Sequence, residues 1–109
     1  MSEVLPTNGA IREFLAVLVD EEVQGSPLHD AAMKALVKLG AKAVPFLVAN
    51  LMAGPFHSHL ATLDCLASIN DASAVSGLSA YVLSLKGVGQ DELKEQAQDL
   101  AIELLKSGR

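Results

Sequence analysis

At 109 residues, with half of them apolar, the chain is long enough for one domain that buries roughly 60–70% of its unfolded surface. The formal charge of −5, from 13 acidic and 8 basic residues, argues against a nucleic-acid partner, because phosphate binding needs clustered Lys and Arg. A single Cys65 excludes an internal disulfide and fits a reducing compartment.

Apolar spacing and turn residues predict six helices in chain order. Asn8 caps the first, which runs to about Val23 with Ile11, Phe14, Leu15 and Leu18 on one face. Gly25-Ser26-Pro27 restarts the chain: Ser caps, and Pro at the first helical position loses no needed hydrogen bond. Helix two turns Leu28, Ala32, Ala35, Leu36 and Leu39 inward and stops at Gly40. Helix three starts near Lys42, tolerates Pro45 in its first turn, and buries Val44, Leu47, Val48 and Leu51 before Gly54-Pro55. Helix four runs from about Phe56 to Ile69 with Leu60, Leu63, Leu66 and Ile69 inward. Asp71 caps helix five, whose inner side is Val75, Leu78, Val82 and Leu85. After Gly87-Val88-Gly89, helix six opens near Asp91 and buries Leu93, Ala97, Leu100, Ala101 and Leu104.

These helices repeat. Leu36 and Leu39 map onto Leu66 and Ile69 with a shift of 30, and Val44, Leu47 and Leu51 map onto Val75, Leu78 and Val82 with a shift of 31. Helix one matches helix three with a shift of 33, and helix six matches helix two with a shift of 65. The chain therefore alternates two helix types, three of each, and the short turns make neighbours antiparallel. A period of this length marks a helical repeat stack, whose usual use is to present a surface to a partner.

The stretch Leu39-Gly40-Ala41-Lys42-Ala43-Val44-Pro45-Phe46-Leu47 resembles the repeat junction of HEAT-like proteins, especially the short phycobilisome-lyase variety. The second copy, Ile69-Asn70-Asp71-Ala72-Ser73-Ala74-Val75-Ser76-Gly77-Leu78, keeps the Asp and the apolar positions but has Asn70 for Gly and Ser76 for Pro. The resemblance covers residues 28–85. It implies an all-α fold, a right-handed α–α superhelix of about six helices in three antiparallel pairs over residues 1–109. It implies protein binding or scaffolding, with tetrapyrrole-lyase activity in a minority of relatives as the alternative.

No apolar run in the sequence reaches the roughly 18–20 residues that span a bilayer, and Met1-Ser2-Glu3-Val4-Leu5-Pro6 lacks the features of a secretory signal. The expectation is a cytoplasmic protein with no membrane role. His57-Ser58-His59, with His29 and Cys65, is the nearest approach to a metal set, but His at i and i+2 do not share a helix face. The two are read as solvated residues at the start of helix four. Cys65 reads as a small apolar residue between helices, and Asp30 with Lys34 as a solvated pair one turn apart. No catalytic residue, metal or cofactor is expected.

Equivalent positions stack into ladders. Val17, Asn50 and Tyr81 form one, and Val19, Met52 and Leu83 another. Met52 and Leu83 either pack on a neighbouring helix layer or form a shallow apolar partner groove with Tyr81 as anchor. Phe56 either staples the start of helix four or serves as a second contact in a surface turn. The candidate partner-binding residues are Asn50, Met52, Phe56, Tyr81 and Leu83. Val17, Val19, Val23 and Leu105 leave the ends of the stack apolar, which points to self-association as a homodimer or to a tight protein partner.

Overall fold

The computed structural model describes residues 7–108, with side chains from residue 9. It is all-helical: α1 (Thr7–Val19), α2 (Pro27–Leu39), α3 (Val44–Ala53), α4 (His59–Ile69), α5 (Val75–Ser84) and α6 (Asp91–Ser107), with no strand among the described residues. Short 3-10 turns lead into α3, α4 and α5. Because α2 passes through one of them directly into α3, the six α-helices come as five unbroken runs among the described residues. The predicted cap Asn8 lies inside α1, and its side chain is outside the described set, as is the hexapeptide before Thr7.

The punctuation acts where the turn chemistry requires. The Ser26 side chain accepts the His29 N–H at 3.3 Å, a cap that contributes about 1 kcal/mol. Pro27 and Pro45 sit in first turns, where a missing N–H costs no helical bond. The Asp71 side chain accepts the Ser73 N–H at 2.8 Å. Gly40 takes φ 66° and ψ −136°, a combination almost closed to residues with a Cβ. Its counterpart Asn70 enters the left-handed region at φ 55°, which Asn tolerates better than most residues.

One end differs from expectation. Helix α1 stops at Val19, four residues early, and Glu21–Val23 form a separate 3-10 turn. The Asp20 side chain accepts the Glu22 N–H, and the Gln24 amide donates to the Leu18 carbonyl at 2.8 Å. Local capping thus ends the helix before its apolar pattern does.

Contacts run in two series. Helices α1, α3 and α5 touch in order, as do α2, α4 and α6, and each odd helix touches the even helix after it. The smallest dimension of the molecule is 21 Å, about two helix diameters. Between the series lies a core of Ile11, Leu18, Leu36, Leu47, Leu66, Leu78 and Leu104, all essentially inaccessible to water. At one place the odd helices approach very closely: a Cβ on Gly77 would stand 2.5 Å from a Val48 methyl. No side chain fits there.

The continuous run Pro27–Ala53 is long and apolar enough, by length and composition, to cross a membrane, which the sequence reading did not anticipate. The Gly40 corner divides it into rods of 13 and 10 residues, roughly 20 and 15 Å long at 1.5 Å per residue. Neither rod alone reaches the ~30 Å of a hydrocarbon core.

Candidate functional site

The densest polar chemistry lies where α3 ends and α4 begins. The turn at Gly54-Pro55 brings Ser58, His59 and Thr62 beneath Asn50, and Tyr81 of α5 closes the group from the next odd helix. Ser58, His59, Thr62 and Tyr81 are all buried. The Asn50 amide donates to Ser58 Oγ at 3.0 Å and to Thr62 Oγ1 at 2.9 Å. Those hydroxyls in turn donate to the carbonyls of Pro55 and Ser58, each at 2.8 Å.

His59 sits at the centre. Its Nε2 lies 3.0 Å from the Asn50 carbonyl and 3.1 Å from that of Gly54. Carbonyl oxygens only accept, so Nε2 carries the proton and is shared between them. In the neutral ring Nδ1 is then an acceptor, and the Tyr81 hydroxyl donates to it at 2.8 Å. Edge-to-face contacts with Phe56 and Tyr81, each at 5.3 Å between centroids, hold the ring plane. Desolvation lowers the His59 pKa below 6.5, partly countered by the bonds to Gly54 and Asn50. Burial likewise pushes the Tyr81 phenol up to about 12. At neutral pH both groups are uncharged, and a substrate atom reaches neither unless helices part. The network is structural: it ties α3, α4 and α5 together.

This corrects two expectations. His59 is not a solvated residue, since it is 2% exposed. Its neighbour His57 is tied down as well, with Nε2 donating to the Val19 carbonyl at 2.7 Å across the α1 end. Tyr81 is 1% exposed and so cannot anchor a partner at the surface. Asn50 is half-buried with its amide committed internally. Asn50 and Tyr81 of that ladder face α4, whereas Val17 lines an open groove beside α2.

The other ladder is outside. Met52 is 50% exposed and Leu83 73%, one repeat apart on the touching helices α3 and α5. Phe56 is also exposed, and Leu60, expected inward, lies exposed one turn after it. Leu28, also expected inward, is 55% exposed. Leu105, read as an apolar end of the stack, is 72% exposed on α6, and Ile102 adds exposed apolar surface there that the helical period did not single out. The repeat could have revealed His59, because His29 occupies the same position 30 residues earlier.

A groove of about 320 Å³ lies between α2 and α4, floored by Met33, Val37 and Cys65 and rimmed by charged side chains. On that rim Asp30 and Lys34 pair at 3.0 Å with both side chains largely in water, a contact of at most a few tenths of a kcal/mol. Cys65 is fully buried, and desolvation raises its pKa to about 12. A thiol so far from ionising is a poor nucleophile. Among the described residues no three His, Cys, Asp or Glu side chains converge in a metal-binding group.

No family model, curated protein or solved structure matches the chain.

Proposed function

We propose that this chain is a non-catalytic protein-binding or assembly scaffold, built as a HEAT-like stack of three antiparallel helix pairs in a right-handed superhelix. The supporting observation is the contact order. Odd helices meet odd helices and even meet even, as stacked repeats require. Such a body presents long helical faces, and here the touching helices α3 and α5 carry exposed Met52 and Leu83 at equivalent positions, while Phe56 and Leu60 are exposed at the start of α4. Exposed apolar side chains grouped on a small protein mark an interaction surface. The partner is a protein that offers an apolar face, or a further copy of the chain as in a homodimer, and the setting is the cytoplasm.

The experiment compares affinity capture by the wild type with capture by a Met52→Glu/Leu83→Glu variant, read by quantitative mass spectrometry. Partners retained by the wild type and lost by an equally helical variant support the reading. Equal recovery from both defeats it. The tetrapyrrole-handling alternative would draw on the α2–α4 groove, but the inert thiol of Cys65 offers no attachment point there. A tetrapyrrole that gained a new absorbance band on mixing with the protein would revive it.

A further inference from the structure

The same shifts that relate the helices also relate the inner junctions of the stack to its outer faces. Where α3–α4 meets α5–α6, Val48 lies against Gly77 and His59 bonds Tyr81. One repeat forward, Val48 becomes Ser79 and His59 becomes Lys94, on α5 and α6. Two repeats back, Gly77 becomes Glu13 and Tyr81 becomes Val17, both on α1. Ser79 lines a groove of about 300 Å³ with Val82, Leu83, Gln98 and Ala101. Glu13 and Val17 line another, of about 230 Å³, with Phe14, Leu28, Ala31 and Ala32. The molecule thus displays the two halves of one junction on opposite outer faces, and no described helix occupies either groove.

We propose that a second copy supplies the missing half, so that the α5–α6 face of one chain docks on the α1–α2 face of the next. This inference rests on reading the chain as a repeat stack. Continuing the register with the spacing of the α1–α3 seam, where Phe46 fills the Gly77 position, sets Ser79 against Glu13 of the neighbouring copy and Lys94 against Val17, one helical turn from that Glu13. A Lys and a Glu of opposite charge therefore meet across the junction. Leu28, at a position that is buried in both later repeats as Ser58 and Leu93, loses its exposure. The outer junction is wetter than the inner one, with Ser79 for Val48 and Gln98 for Leu63. Association is accordingly reversible and concentration-dependent. A head-to-tail contact between unlike faces does not close on itself as a two-fold dimer does, so mass grows stepwise beyond two copies.

Two variants separate the possibilities. Leu28→Glu blocks the first face and Ser79→Glu the second, both at exposed positions. Circular dichroism and melting confirm that each remains folded. In sedimentation velocity the wild type should at least double its average mass across the micromolar-to-millimolar range. Each variant alone should stay monomeric. Their equimolar mixture should form a one-to-one dimer and stop there, since one good face of each kind remains. A wild type that stays monomeric overturns the proposal, as does a variant that dimerises alone or a mixture that does not. Partner capture that depends on Met52 and Leu83 but comes from a strictly monomeric wild type would leave the scaffold reading in place and remove only the self-stacking.

Discussion

His29 and His59 hold the same position one repeat apart, and both are buried, yet only one is provided for. His59 has every ring nitrogen bonded, through Tyr81 on one side and two carbonyls at the end of α3 on the other. His29 is 8% exposed, and its Nε2 has no hydrogen-bond partner. The reason lies in the flanking repeats. The residue corresponding to Tyr81 is Asn50, whose amide turns to Ser58 and Thr62 instead. At the end of α1, the carbonyls that correspond to those of Asn50 and Gly54 belong to Val17 and Glu21, and they accept from the Asp20 and Gln24 N–H groups. One helix position therefore carries a cross-helix clamp in the middle of the molecule and an orphaned donor or acceptor near its first pair. Repetition fixes where a side chain sits, while the neighbours decide whether its polar atoms are satisfied.

The comparison predicts opposite signs for matched substitutions. His59→Leu strands the Tyr81 hydroxyl and removes a donor from two carbonyls, so urea unfolding should show a loss of about 3 kcal/mol. Equal stability of that variant and the wild type would mean that the network contributes nothing. Tyr81→Phe leaves Nδ1 of His59 buried without a donor and should cost about 1–2 kcal/mol in the same assay. By contrast, His29→Leu removes a buried unpaired nitrogen while keeping the apolar volume. It should stabilise the fold by about 1 kcal/mol, read as a higher urea midpoint at unchanged slope.

The smallest effect is on pH dependence. Burial lowers the folded-state pKa of His59 beneath 6.5, so below pH 6.5 the unfolded chain binds a proton there before the folded chain does. Stability from this group is therefore full above 6.5, falls as pH drops toward the folded pKa, and levels off below it. Urea midpoints at several pH values, referenced to His59→Leu, should show that decline in the wild type and not in the variant.

Helix punctuation was readable directly: Ser26-Pro27, Gly40, Pro45, Asp71 and the Gly87–Gly89 break all mark boundaries in the structure. These are local effects, decided by caps and by φ. What lies on each face was not readable to the same degree. Leu28 and Leu60 fall on apolar stripes, but a stripe assigns direction around a helix and not the neighbour that covers it. Tyr81 was misplaced for the same reason, since its exposure depends on how closely α3 and α5 approach. Ser58 and Thr62 stand at the repeat positions of Leu28 and Ala32, but a polar group is recognisable as interior only once its hydrogen-bond partners are in view.

The bare α-carbon of Gly77 has a mechanical meaning. Its counterpart one repeat earlier is Phe46, a partly buried ring with the Arg12 guanidinium 6.0 Å from its centre. Successive odd rods are thus spaced by an aromatic ring at one seam and by Val48 against a bare α-carbon at the other. The second seam holds only the stiff β-branched Val48 there, whereas the first is propped by longer side chains with torsional freedom. Under load or heat, α1 and α2 should peel from α3 while α3, α4 and α5 still move as a single block.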